Sequence, residues 1–186
     1  MSGSGWLEEV KSGLRDAFNW HGDRTDPDYY ADVTGWWRDP ALLGHLGPAL
    51  AHLFEGERPT VVLGPESRGC LLGPLVALRF DVGFVEVRKN RVGSSDSDAW
   101  RQRTTPPDYR DRHLTLGFRK SLLQSGDRVL FVDDWMETGG QADGVHLLVE
   151  DAGATWIGAA TVVDGLRSNQ ARRRLNVRSL LHVREL

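Results

Sequence analysis

The residues best suited to chemistry lie in one run, Val129-Leu130-Phe131-Val132-Asp133-Asp134-Trp135-Met136-Glu137-Thr138-Gly139-Gly140-Gln141. An apolar stretch leads into two adjacent carboxylates, and a Thr-Gly-Gly turn follows where the pattern predicts a helix to start. The backbone N–H groups of Thr138, Gly139 and Gly140 are not shielded by bulky side chains. They would sit at the positive end of the helix dipole, which suits an anion and above all a phosphate. Asp133 and Asp134 can accept hydrogen bonds from neighbouring sugar hydroxyls. A phosphate cup beside a diol acceptor is what a ribose 5-phosphate group requires. Other phosphate motifs do not fit. A Walker A loop needs Gly-Lys-Ser/Thr, and no lysine is present in this run. The dinucleotide fingerprint Gly-x-Gly-x-x-Gly is absent. A phospho-receiver domain needs a later lysine, and none follows Lys120.

Composition narrows the class. At 186 residues the chain has the length of one domain, 1–186, by the rule of roughly 100–200 residues per domain. Its net charge of −3 and its 26% charged and 40% hydrophobic residues are those of an ordinary globular protein. The slightly acidic balance predicts no nucleic-acid partner, since neutralising phosphates takes a basic surface. No apolar run approaches the ~18 residues of a membrane helix, and Met1 to Trp6 lack the pattern of a signal peptide. The single cysteine, Cys70, rules out an intramolecular disulfide and a multi-cysteine zinc site. A soluble, cytoplasmic protein with no membrane contact is expected. Three of the 23 basic residues are lysines, a bias that a GC-rich genome alone would produce.

The elements that must position the acidic run follow from hydrophobic period and turn residues. Trp6, Leu7, Val10, Leu14 and Phe18 predict an amphipathic helix, and 19–38 reads as an irregular aromatic lobe. Asp39-Pro40 looks like an N-cap and N1 opening a helix to about Phe54, bent at Pro48. Strands are predicted at Thr60–Leu63, Gly83–Val87, His113–Phe118, Arg128–Val132, Thr155–Val163 and Leu180–Val183. Helices are predicted at Cys70–Phe80, Gln141–Asp151 and Ser168–Arg174, with Arg172-Arg173-Arg174 as an exposed face. Residues 90–108 carry no period and many turn formers, as in a long functional loop. Alternating strand, loop and helix predict an α/β fold with a mostly parallel central sheet flanked by helices. Ligands then bind beyond the carboxyl ends of the strands.

The run from Val132 to Gln141 resembles the ribose-phosphate signature of type I phosphoribosyltransferases. Leu63 to Pro74, followed by Gly83 to Lys89, is similar to the adenine phosphoribosyltransferases. So are Tyr30-Ala31-Asp32-Val33-Thr34, the downstream Arg38-Asp39-Pro40, and the turn Ser125 to Val129, in order over about residues 28–186. The resemblance implies the type I fold with a small hood lobe at about 1–38 and a mobile flap at 90–108. It also implies magnesium-dependent transfer of a phosphoribosyl group from phosphoribosyl pyrophosphate to a nucleobase, adenine first, in purine salvage, by a homodimer.

Residue by residue, the resemblance implies that Thr138, Gly139 and Gly140 hold the 5-phosphate and that Asp133 and Asp134 bind the ribose hydroxyls. The family has a small residue and a Thr where this chain has Glu137 and Gln141. Glu137 is therefore expected to turn its charge away from the phosphate, and Gln141 to donate a hydrogen bond. Glu66, Ser67 and Arg68 match the pyrophosphate loop, with a cis peptide expected at Glu66–Ser67. Arg88 and Lys89 match a basic pair that contacts pyrophosphate, across a dimer interface in some members. Asp108, before Tyr109, stands where the adenine enzymes place an acid that assists proton transfer, and Arg68 is the second candidate catalytic residue. Tyr30 aligns with the aromatic that stacks the base, and Tyr29 and Ala31 with residues that read its edge through backbone groups. Trp20, Trp36 and Trp37 are expected to pack within the lobe. Magnesium would be held mainly by substrate, with Asp133 or Asp134 reaching it through water. Two alternatives stay open: a different purine-like or specialised acceptor, motivated by Ala31, Asp108 and the Trp-rich lobe, and a non-catalytic phosphoribosyl pyrophosphate-binding regulator.

Overall fold

The structure, a computed structural model, describes residues 5–23, 25, 29–90, 99–105 and 114–186. Helix α1 (Gly5–Asp16) buries Val10 and Leu14, four residues apart and hence on one face. A two-stranded hairpin follows, β1 (Asn19–His21) pairing antiparallel with β2 (Tyr30–Asp32), and then the single turn α2 (Gly35–Arg38). This hairpin corrects the irregular lobe expected there. Strands of three residues are too short for alternation to show in sequence. Helix α3 (Pro40–His52) starts as expected, with the Asp39 carboxylate accepting the Leu42 N–H at 2.8 Å and Pro40 in the first turn.

The main sheet is built from β3 (Val61–Pro65), β4 (Gly83–Lys89), β5 (Trp100–Thr104), β6 (Thr115–Arg119), β7 (Arg128–Met136), β8 (Thr155–Asp164) and β9 (Val177–His182). Their order is β5-β6-β4-β3-β7-β8-β9. The five strands from β4 to β9 run parallel, and β6 and β5 add an antiparallel edge. Helix α4 (Gly69–Phe80) lies between β3 and β4, α5 (Gly140–Asp151) between β7 and β8, and α6 (Asn169–Arg174) before β9. One face of the sheet packs on α3 and α4 through Leu46, Leu50, Val76, Leu130 and Val162, and the other on α5 through Phe131, Val145, Leu148 and Ala159. The α/β architecture expected from the alternating pattern is the one observed.

The expected loop 90–108 is corrected in its middle, where β5 pairs with β6 from Trp100 opposite Arg119 to Thr104 opposite Thr115. Only Trp100 of this strand is buried, so an apolar pattern could not announce it. Arg103 instead docks the edge to α5 with two hydrogen bonds to the Asp151 carboxylate at 2.9 and 3.0 Å. Residues 91–98 and 106–113, including Asp108 and Tyr109, lie outside the described residues. Among the described residues no helix is long and apolar enough to cross a membrane.

Candidate active site

Parallel strands end at one edge of the sheet, so β3, β7 and β8 deliver their following loops to a common place. The loop after β3 is pinched at its base. A Cβ on Gly64 would stand 2.3 Å from the Gly69 carbonyl oxygen, and one on Gly69 only 2.9 Å from that of Val132, so neither position has room for a side chain. The peptide Glu66–Ser67 is cis, as expected. The Glu66 N–H donates to the Val87 carbonyl at 3.0 Å, and the Glu66 carboxylate accepts the Lys89 N–H at 2.8 Å. Glu66 thus moors the loop to the end of β4. Arg68 crosses to the neighbouring strand and donates to the Asp134 carboxylate at 2.9 Å, so two motifs 66 residues apart meet in one ion pair.

At the end of β7, Asp133 and Asp134 are both buried. The Asp133 carboxylate accepts the Asp134 N–H at 2.9 Å. Burial, and then the adjacent Asp134 charge, hold the Asp133 carboxyl well above the usual carboxylate range. Gly139 follows in the left-handed region at φ 78°, a conformation glycine adopts without strain, and α5 begins at Gly140. Asp133, Glu137, Thr138, Gly139, Gly140 and Gln141 line a cavity of about 340 Å³, with Lys89 also on its wall. A side-chain oxygen of Gln141 is buried without a hydrogen-bond partner among the described residues. Arg88 does not line this cavity and pairs with Glu86 at 2.9 Å, so the expected basic pair is divided between two environments.

A second cavity, about 580 Å³, adjoins the first and is lined by Tyr29, Tyr30, Ala31, Arg68, Arg167 and His182 among others. Trp135 and Glu137 border both cavities. Glu137, expected to turn away from the phosphate cup, is therefore at the junction. Trp20 also lines the second cavity. It stacks on Tyr29 at 4.7 Å and meets Trp135 edge-on at 5.9 Å. Tyr30 is 57% exposed and stacks on His21 at 5.3 Å. Trp36 is fully buried in the lobe, as expected of it, with its indole N–H donating to the Leu14 carbonyl. Sequence reasoning missed Trp20 and Trp135 as wall residues. An aromatic directly after the paired acids was the available signal for Trp135.

Residues 39–183 match the family model described as "Phosphoribosyl transferase domain". The chain belongs to the phosphoribosyl transferase family, with the type I fold and the activity class that defines it. Within that family it is similar to proteins named adenine phosphoribosyltransferase. It is 38% identical over 160 residues to the adenine phosphoribosyltransferase of Methylococcus capsulatus, covering 82% of this chain and 88% of that protein. It is 34% identical to the Streptomyces coelicolor enzyme of the same name, covering 91% and 89%. Among solved structures, the adenine phosphoribosyltransferase of Rhodothermus marinus superposes with a TM-score of 0.79 at 31% identity, covering 95% of this chain and 99% of that one. The Saccharomyces cerevisiae enzyme, complexed with an imino-altritol bisphosphate and adenine, gives 0.78 at 28% identity, covering 94% and 99%.

Proposed function

We propose that this chain transfers the 5-phosphoribosyl group of phosphoribosyl pyrophosphate to adenine, releasing pyrophosphate and forming AMP, as a salvage reaction. The observation that carries the reading is the pair of adjoining cavities: one lined by the buried Asp133 and the Thr138-Gly139-Gly140 turn, the other an aromatic chamber, sharing Trp135 and Glu137. In this reading the N–H groups of Thr138, Gly139 and Gly140 bind the 5-phosphate, the Gly140 N–H exchanging its 3.3 Å bond to Thr138 Oγ1 for the ligand, and Asp133 and Asp134 accept from the ribose hydroxyls. The Glu66-Ser67-Arg68 loop and Lys89 bind the leaving pyrophosphate. Tyr29, Tyr30 and Ala31 meet the base, and Asp108 assists its proton loss.

Reaction at the anomeric carbon passes through a cation-like ribosyl state. The chain's task is to hold the leaving group's charge, fix the ribose and keep water out. Substrate displaces the Arg68–Asp134 contact, which frees the guanidinium for pyrophosphate and the carboxylate for the ribose. Among the described residues no three His, Cys, Asp or Glu stand together as a metal cage. Adjacent carboxylates with no third partner fit Mg²⁺, which binds through one or two carboxylates, waters and substrate phosphates. Bound so, it would neutralise charge on the departing pyrophosphate.

A homodimer in the cytoplasm belongs to the same proposal. On α4, Leu71 and Leu78, seven residues apart and so on one face, are 55% and 78% exposed and form an apolar surface that a second copy would cover. Light scattering after size exclusion should give twice the 20.8 kDa chain mass. Incubation with adenine, phosphoribosyl pyrophosphate and Mg²⁺ should yield AMP and pyrophosphate, and chelation should stop it. Binding of phosphoribosyl pyrophosphate without turnover of adenine would refute the adenine assignment. It would favour the second reading, another acceptor, for which the aromatic wall Trp20–Trp135 and the charge of Glu137 speak.

A further inference from the structure

Helix α6 was expected to show solvent a plain basic face, and one of its three arginines does not. Arg172 turns inward and donates to both oxygens of Asp164, from Nε at 2.5 Å and from Nη2 at 3.1 Å. Asp164, at the end of β8, is 5% exposed. Arg172 also donates to the Leu166 carbonyl at 2.6 Å and to the Asn169 side chain. Asp164 in turn accepts the Leu166 N–H at 2.8 Å. Every one of these bonds ends on the segment 164–169, so together they rigidify the bridge Gly165-Leu166-Arg167.

That bridge touches both halves of the site. Its Gly165 N–H donates to the Met136 carbonyl at 2.8 Å, just before the phosphate turn. A Cβ on Gly165 would meet the Trp135 indole nitrogen at 3.3 Å and the Glu137 Cα at 3.8 Å. Leu166 Cδ2 lies 3.1 Å from where a Cβ on Gly139 would stand. Gly165, Leu166 and Arg167 also form one wall of the aromatic cavity. A second tie runs from Arg174 to Asp143 in the first turn of α5, at 2.7 Å.

We propose that Asp164 and Arg172 are positioning residues for the transfer reaction. They hold the 165–167 bridge, which props the Thr138-Gly139-Gly140 turn from behind and sets one wall of the acceptor cavity. The inference rests on the reading that the cup binds the donor phosphate. A group that only stabilised the fold would change the melting temperature and leave the folded protein's affinities alone. A positioning pair must change affinity on both sides of the junction.

The test compares Arg172→Met, Arg172→Lys and Asp164→Asn with the unaltered chain, at a temperature well below every melting point. Arg173→Ala, an exposed neighbour on the same helix, is the control. Calorimetry gives the Kd for phosphoribosyl pyrophosphate, and kinetics give both KM values. Arg172→Met and Asp164→Asn should weaken donor binding about ten- to a hundredfold and raise the acceptor KM in parallel, the scale of a displaced positioning element. Arg172→Lys should recover little, because one ammonium cannot reproduce the guanidinium fork. Arg173→Ala should match the unaltered chain. Lower melting points with Kd and KM within twofold would overturn the proposal. Should Arg172→Met not fold, the near-isosteric Asp164→Asn decides. An unaltered chain that failed to bind phosphoribosyl pyrophosphate would instead refute the function from which the inference starts.

Discussion

Alanine at Gly139 and at Gly140 should separate the two tasks of the proposed phosphate turn, its own shape and its grip on a ligand. Gly139 sits at φ 78°, where an L-residue costs about 1–2 kcal/mol more than in its preferred regions. Its new Cβ would also stand 3.1 Å from Leu166 Cδ2, and Leu166 is 4% exposed with little room to yield. At about 2–4 °C per kcal/mol for a chain of this size, Gly139→Ala should lower the melting temperature by about 2–8 °C. Relaxing the strain would turn the N–H groups away from the cup and raise the KM for phosphoribosyl pyrophosphate. Gly140 has no such strain, and its nearest neighbour would be Thr138 Oγ1 at an ordinary 3.6 Å. As the first residue of α5 it should tolerate alanine, with a gain of up to about 1 kcal/mol from helix propensity. The methyl group would nevertheless occupy the cup, so Gly140→Ala should bind phosphoribosyl pyrophosphate about tenfold more weakly in a protein that melts no lower. Scanning calorimetry and KM measurement read both effects. Equal melting points for the two variants, or undiminished donor binding by Gly140→Ala, would refute the reasoning.

Three further outcomes follow from the site's electrostatics. Because the Asp133 carboxyl is raised in the folded state, the folded chain holds more protons than the unfolded one from about pH 3.9 up to the raised value. Stability without ligand is then lost as pH rises through that window. Asp133→Asn should flatten this decline and melt higher than the unaltered chain at pH 7 while binding the donor less well, and parallel melting curves from pH 4 to 8 would contradict the account. Glu137→Gln removes a carboxylate beside the phosphate cup and should lower the KM for phosphoribosyl pyrophosphate about two- to fivefold, the scale of one exposed charge interaction; a higher KM would show that Glu137 contributes to donor binding. The Cys70 thiol is pushed up to about 12 by burial and then by the Glu86 and Glu66 charges. At pH 8 roughly one thiol in ten thousand is then ionised. Iodoacetamide should leave Cys70 unmodified for hours by intact mass, and labelling within minutes would be the opposite result.

The turn proposed to bind phosphate was legible because its geometry is local. Asp133, Asp134 and Thr138-Gly139-Gly140 are neighbours in the chain, and an apolar strand before them with a helix after them suffices to aim them. The same holds for Asp39 capping α3 and for the pinched loop between Gly64 and Gly69. What stayed hidden depends on partners far apart in sequence. Arg68 meets Asp134 only because β3 and β7 are adjacent and parallel in the sheet. The edge strand β5 is held by arginines that reach α5, so its composition reads as solvent-facing loop. Trp20 and Trp135 form one wall only once the hairpin folds over the end of β7. Arg172, read as one of three exposed charges, is paired with a carboxylate eight residues earlier that the end of β8 has buried. Local order in the chain thus determined which groups could bind a phosphorylated ribose. The packing of distant strands decided which charges line the cavity proposed for that ligand and which are consumed in ion pairs such as Arg172–Asp164, since burial and Coulomb pairing are set by neighbours in space.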